Sequence, residues 1–476
     1  MPEGPQSTPI AAWEDDPVAA IPEDQPPRNE PIRGVEPDFN PPGLPVGLAG
    51  PRPAPGIYQV GTGDFRYWAL ADALARGARY WSGRMPAGTT WQPGNGNRLV
   101  AVPDEGIDLN AYYDRNGLHF FHGSVRGTTV YSGESPDVVC HELGHAVLDA
   151  VKPQLWDAAS IEVAAFHESF GDISAILSNL QLASMRDEVL TETDGQVATA
   201  SRLSRLAEDL GWAIRQLVPD AVSPDCLRSA VNSLYYQAPA SLPPRAPAVV
   251  LSSEPHSFSR VFTAGFFRML GRMFHLQPQQ NSDGLLKAGD DAGKLLIEGV
   301  RRSPVVPGFY SQVAAHMVAA DAELFNGKYR SAIRAGFVGT GVLSVPSAAE
   351  LGSDERLAAA PSLAADNGDD QLPRIPLTGS AYRLPSDLFV RAASQPRRFG
   401  VASGTPDTGD SQSPAADHAA RSFVEDLVRR GRIAVGEEDT GDAPIIPSVY
   451  TTHEIQTADG ALELRRTRFD CGFGNH

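Results

Sequence analysis

The segment Asp137-Val-Val-Cys-His-Glu-Leu-Gly-His-Ala-Val contains the run His141-Glu142-Leu143-Gly144-His145. Two histidines four residues apart share one face of a helix, so both imidazoles can reach a single Zn2+, and the glutamate after the first can hold a water at the metal. Zinc with one open position needs a third protein donor. One is offered 23 residues after His145, in the run Ile161-Glu-Val-Ala-Ala-Phe-His-Glu-Ser-Phe-Gly-Asp172. There Glu168 is the candidate third ligand, and Asp172, one turn further on, can accept the second ring N–H of a ligand histidine, most simply His141. Phe166, Phe170, Ile173 and Ile176 set these acids in an apolar helix, where an unpaired carboxylate would be costly.

Both runs must then be helices, and helical periodicity does extend over 137–150 and 161–182, as it does over 65–76 and 201–217. Short aromatic, glycine-punctuated segments such as Leu118-His-Phe-Phe-His-Gly123 and Thr128-Thr-Val-Tyr-Ser-Gly133 read as strands and turns. The fold class expected is α+β. Of the 40 prolines, 15 precede residue 56, so residues 1–55 read as an extended arm. A catalytic unit follows, divided at residue 160 into 56–160 and 161–345. Residues 346–375 form a polar linker. The remainder, 376–476, is a small C-terminal α/β extension with a helical stripe of Phe423, Leu427 and Val428, and with strands over 448–456 and 461–469. It is expected to bury a small core of its own and to supply no catalytic group, the alternative being a lid across the catalytic unit.

Composition narrows the partners. Forty Lys and Arg against 58 Asp and Glu leave a net charge of −18, which repels phosphate backbones and anionic headgroups, so neither nucleic acid nor membrane is expected as a partner. No apolar run reaches the roughly 18 to 20 residues of a spanning helix, and the N-terminus lacks a basic leader and an apolar h-region. The expected location is cytoplasmic, or outside the cell by a route without a classical signal peptide. Cys140, Cys226 and Cys471 are too few and too widely spaced for a disulfide framework or a CxxC metal site. Oligomeric state has no signature in the sequence.

Several stretches, in order, resemble the thermolysin-like neutral zinc metalloproteases, a gluzincin family. Asn110-Ala111-Tyr112-Tyr113 resembles the family's substrate-binding strand, and the two runs above resemble its zinc helices. Asp225-Cys-Leu-Arg228-Ser resembles the segment whose arginine binds a substrate carbonyl, and Glu254-Pro-His256-Ser-Phe-Ser the segment bearing the catalytic histidine. Residues 320–343 resemble the helical end of the catalytic unit. The resemblance covers about 56–345. It implies a two-lobed fold with the HExxH helix between a mixed α+β N-terminal lobe and a mainly helical C-terminal lobe. It also implies zinc on His141, His145 and Glu168, with Glu142 as general base and His256 stabilising the oxyanion. Asn110, Ala111 and Arg228 would bind the backbone of a peptide or protein substrate, and Val138 and Leu227 would flank a pocket for an apolar side chain.

The chain departs from the family at several points. Trp156 stands where a tyrosine supports the oxyanion, and indole can donate a hydrogen bond but cannot exchange a proton as a phenol does. Leu251 replaces an acid that usually orients the catalytic histidine, for which Glu254 is a substitute. Of the family's calcium ligands Asp137 and Glu208 are in place, but Asn179 stands where a carboxylate is expected, so calcium is only partly supported. The function expected is that of a zinc endopeptidase. Its alternatives are a zinc aminopeptidase, disfavoured by the lack of a GxMEN-like motif, and a zinc-retaining binding or structural protein with little turnover.

Overall fold

The structure, a computed structural model, describes residues 8–17, 31–353, 372–392, 416–435 and 451–470. The N-terminal arm lies on the body where it is described. β1 (Pro9–Ala12) pairs antiparallel with β2 (Ile32–Val35), and Ile10 is fully buried beside α1 (Gly63–Ser82). Trp13 donates its indole N–H to Glu134 over 3.2 Å and sets its ring edge-on to Phe65. The apolar run Ile10–Trp13 thus anchors an otherwise proline-rich stretch. Asp16 follows it to the starts of two helices, accepting from the Ser135 hydroxyl and, at 3.1 Å, from the Asp209 N–H. An acid is favoured there by the helix dipole.

The arm's end is part of the body too. β3 (Val46–Leu48), β4 (Leu99–Val102), β5 (Ala111–Tyr113), β6 (Leu118–Phe120) and a terminal strand, β16 (Phe469–Asp470), make one sheet in the order β16-β5-β6-β4-β3. β7 (His122–Val125) and β8 (Thr128–Tyr131) form a separate ribbon. The segments between 118 and 133 are therefore strands, as their aromatic alternation predicts.

After the ribbon the chain is largely helical: α2 (Pro136–Val151), α3 (Ile161–Asn179), α4 (Ala183–Thr193), α5 (Glu208–Leu217), α6 (Pro255–His275), α7 (Ser282–Arg302), α8 (Phe309–Phe325), α9 (Arg330–Val338) and α10 (Val345–Glu350), with β9 (Arg205–Leu206) pairing β10 (Arg228–Ser229). The start of α2 is fixed by Ser135, whose hydroxyl accepts from the Val138 N–H, and by Pro136 in the first turn. Ser160 caps α3 in the same way. Every residue of α3 is buried, because it runs between α2 on one side and α6 on the other. The α2–α3 contact is close enough to need glycine. A Cβ on Gly144 would fall 2.9 Å from the Cα of Gly171, and one on Gly171 would fall 2.6 Å from the ring of His141. Overpacking of this kind costs about 1–3 kcal/mol.

Glu162, in the first turn of α3, is buried without a cation. Its carboxylate accepts from the Tyr236 hydroxyl and from the Tyr310 N–H at 3.0 Å, tying α3 to the start of α8. Burial pushes its pKa up to about 7 from an ordinary 4.5, although both hydrogen bonds work against the shift. The folded state therefore holds this proton more tightly than the unfolded chain. Its stabilising effect is complete below about pH 4.5 and is lost as pH rises through about 7, a change on the order of 3 kcal/mol. Glu162→Gln should flatten that part of the pH–stability curve. Denaturant titrations of both proteins at pH 5 and pH 8 check this, and an equal slope in the two would refute it.

The C-terminal part contains β11 (Arg374–Leu377), β12 (Leu388–Arg391), α11 (Ala416–Arg429), β13 (Ile433–Val435), β14 (His453–Ala458) and β15 (Ala461–Arg466), with sheet order β11-β12-β15-β14-β13. Elements border the expected linker, 346–375, on both sides. Its first residues belong to α10, β11 begins at Arg374, and 354–371 lie outside the described residues, as does Cys471. A small core does form from Phe423, Val424, Leu427, Leu388, Val390 and Leu464, but Val428 is exposed and Val424 takes its place. Residues at and just before the start of α3 share that core. One sheet face and one 14-residue helix leave an apolar edge, which Ala159, Ile161 and Ala164 cover, and the Ala159 N–H donates to the Arg391 carbonyl over 2.7 Å. Among the described residues no helix is long and apolar enough to cross a membrane.

Candidate metal centre

α2 and α3 bring the predicted ligands together. One ligand atom each from His141, His145 and Glu168 lies within 4.8 Å of the others, and all three side chains are buried. His141 Nε2 is 3.3 Å from Glu168 Oε2, and His145 Nε2 is 3.8 Å from Glu168 Oε1. Neither ring nitrogen of His145 has a hydrogen-bond partner among the described residues. Burial, with His141 nearby, holds its pKa well below the ordinary range, so it is a neutral imidazole with a lone pair to give. Two imidazoles and a carboxylate, all buried, suit a transition-metal ion. Glu142, between the two histidines, is completely buried.

Asp172 does what its spacing predicts. Its Oδ1 accepts from His141 Nδ1 at 3.0 Å, which turns Nε2 of that ring toward Glu168. Arg228 reaches Asp172 from β10 through Nη2 at 2.7 Å and Nε at 3.2 Å, and lies 3.3 Å from His141 Nδ1. Burial alone would raise the Asp172 pKa, but Arg228 and His141 outweigh it and hold the carboxylate at about 2. The arginine expected to meet a substrate carbonyl therefore first fixes the acid behind a ligand.

His256, on the first turn of α6, points Nε2 to within 3.2 Å of Glu168 Oε2. Its Nδ1 is 2.7 Å from Oε1 of Glu254, the N-cap of α6, so Glu254 fills the orienting place that Leu251 leaves. Burial opposes a charge on this ring, but Glu168 and Glu254 raise its pKa overall. On the other side, Val138 and Leu227 line a small cavity together with His141, Asp172 and Arg228.

Asn110 is buried immediately before β5, and its amide oxygen has no hydrogen-bond partner among the described residues. Ala111 opens β5 and pairs with Phe120 of β6. The outer edge of β5 is held by β16, with Phe469 opposite Tyr113 and Asp470 opposite Tyr112. Trp156 is near but engaged elsewhere. It donates its indole N–H to the Arg466 carbonyl at 3.1 Å, receives the Arg466 Nε at its own carbonyl at 2.9 Å, and meets Phe469 edge-on. Its one donor is thus taken, and the oxyanion role is closed to it in this arrangement.

The partly supported calcium positions, Asp137, Asn179 and Glu208, engage protein groups. Asp137 accepts from the Asn179 amide at 2.7 Å and from the Ala207 N–H at 2.9 Å, and Glu208 holds Arg205. Among the described residues the only group of histidine, cysteine or acid atoms close enough for one ion is the His141, His145, Glu168 set. Cys140 packs as a buried core residue, and His119 and His122 are paired with nearby acids away from the centre.

Four residues beside the centre are not legible from spacing. His167 is completely buried, with Phe469 stacked on it at 3.9 Å and 20°. Phe469 also stacks on His145 at 4.9 Å, and the Arg466 guanidinium lies 3.9 Å from the centre of the Phe469 ring. The Asp470 carbonyl oxygen is 2.9 Å from His256 Nε2. No protein-family model matches the sequence, and no curated protein matches it.

Proposed function

We propose that the chain is a zinc-dependent endopeptidase of the thermolysin-like (gluzincin) kind, a two-lobed catalytic unit with the HExxH helix between the lobes. The observation that carries this reading is the convergence of His141, His145 and Glu168, with His256 facing the same carboxylate and the buried Glu142 following His141 on α2. Zinc bound by these three residues would supply a Lewis acid and lower the pKa of water to about 7. Glu142 takes the proton of the attacking water and returns it to the leaving amine. His256, oriented by Glu254, donates from Nε2 to the carbonyl oxygen as it gains charge. Asp172 and Arg228 hold His141 in place, while β5 offers its backbone and Asn110 its amide oxygen to the peptide. The apolar walls of Val138 and Leu227 favour a bulky apolar side chain there.

Cleavage of a quenched internal peptide blocked at both ends tests the reading. Cleavage that a chelator stops and zinc restores is expected. An aminopeptidase would need a free amine and leave this substrate intact. A second reading, a zinc-retaining binding protein, draws on the engagement of the β5 edge and of Trp156 by the chain's own C-terminal residues. It predicts zinc without cleavage in every form of the protein.

A further inference from the structure

Residues 466–470 hold three features of the cleft at once. β16 adds a strand to the outer edge of β5, the edge assigned to the substrate. Its Asp470 carbonyl takes the hydrogen bond from His256 Nε2 that a scissile carbonyl would receive. Its Phe469 ring lies on His145 and His167 and is almost fully buried. A C-terminus packed only for stability has no need of His256. Three arginines position the segment: Arg466 on Trp156, and Arg432 and Arg468 on the Asp470 carboxylate at 3.7 and 3.4 Å. The small space left beside it is walled by Glu168, Glu254 and His256 from the centre and by Phe423, Arg430 and Phe469 from the C-terminal part.

The attachment is short. Two residue pairs join β16 to β5, whereas six join β14 to β15. A two-residue strand is a low-stability element that can open without unfolding its neighbours.

We propose that residues 466–470 are an internal pseudosubstrate, an extended strap that occupies the peptide-binding edge and His256 and keeps the centre latent until it is displaced. The proposal rests on the endopeptidase reading for its consequence, though not for its geometry. A peptide substrate must compete with a tethered strand whose effective concentration is on the order of millimolar.

The test compares the full-length chain, full-length Phe469→Ala and a chain ending at Arg468, each checked for zinc content and a cooperative melt. The probes are a fluorescein-labelled Leu464–Asp470 peptide, followed by anisotropy, and the blocked quenched peptide. Zinc content should be equal in all three. The two strap variants should bind the labelled peptide at least about 10-fold more tightly than the full-length chain and cleave at least about 10-fold faster. Gained peptide binding with no cleavage in any form keeps the strap and removes the endopeptidase reading. Unchanged peptide binding with equal cleavage in all forms removes the strap and keeps the enzyme, and unchanged binding without cleavage removes both. If the shortened chain does not fold, the Phe469→Ala protein decides.

Discussion

Glu142→Gln is expected to abolish peptide cleavage while leaving zinc and the fold intact. The amide has the shape of the carboxylate and its position between His141 and His145 is unchanged, so packing in this fully buried place is preserved. What it loses is basicity, since an amide can sit beside a water but cannot take its proton. General acid–base groups contribute roughly 10²–10⁴-fold, and Glu142 serves in two proton transfers, so a loss near the upper end is expected. The comparison belongs between proteins with the same C-terminal form. A variant that retains zinc and cleaves at a rate close to its parent would remove Glu142 from the chemistry. A variant that loses zinc would make it a ligand instead.

Glu168→Ala should release the metal. Two imidazoles alone leave a tetrahedral site incomplete, and Glu168 also faces His256, so its removal opens the centre on two sides. Loss of an outer-shell partner alone costs about 10–100-fold in metal affinity, and loss of a ligand should exceed that. A ligand that binds only the folded state stabilises it by about 4 kcal/mol at a thousandfold excess over Kd. A chelator should therefore lower the melting temperature of the parent protein and leave that of Glu168→Ala unchanged. Metal analysis that finds zinc fully retained in the variant would place the third ligand elsewhere.

The residues that make the centre were legible because their pattern is local. The i, i+4 spacing of His141 and His145, and of Glu168 and Asp172, needs only helical geometry to become a shared face, and the apolar residues around Phe170 say that the second helix is buried. The close approach of the two helices could be read only weakly, since Gly144 and Gly171 show their purpose once the His141 ring is seen against α3. The role of Glu254 was open because proximity in sequence to His256 does not fix a hydrogen bond. A lid across the catalytic unit is the alternative that the sequence leaves open, but which residues of the C-terminal part reach the centre was not legible. The strap is a two-residue strand without periodicity, and its contact with Trp156 joins residues 310 positions apart. For the same reason the C-terminal part read as a unit of its own. Its helix and strands have ordinary patterns, whereas the apolar edge that α3 covers exists only after they pack.

Zinc on His141, His145 and Glu168 is what every proposed step depends on. The zinc K-edge X-ray absorption spectrum of the purified full-length chain, with metal content measured on the same sample, addresses it directly. One zinc per chain is expected, bound by two imidazole nitrogens at about 2.0–2.1 Å and a carboxylate oxygen at about 2.0–2.2 Å. A chain that takes up no stoichiometric metal, or a zinc whose histidine signature persists in the His141→Ala, His145→Ala double variant, would contradict it.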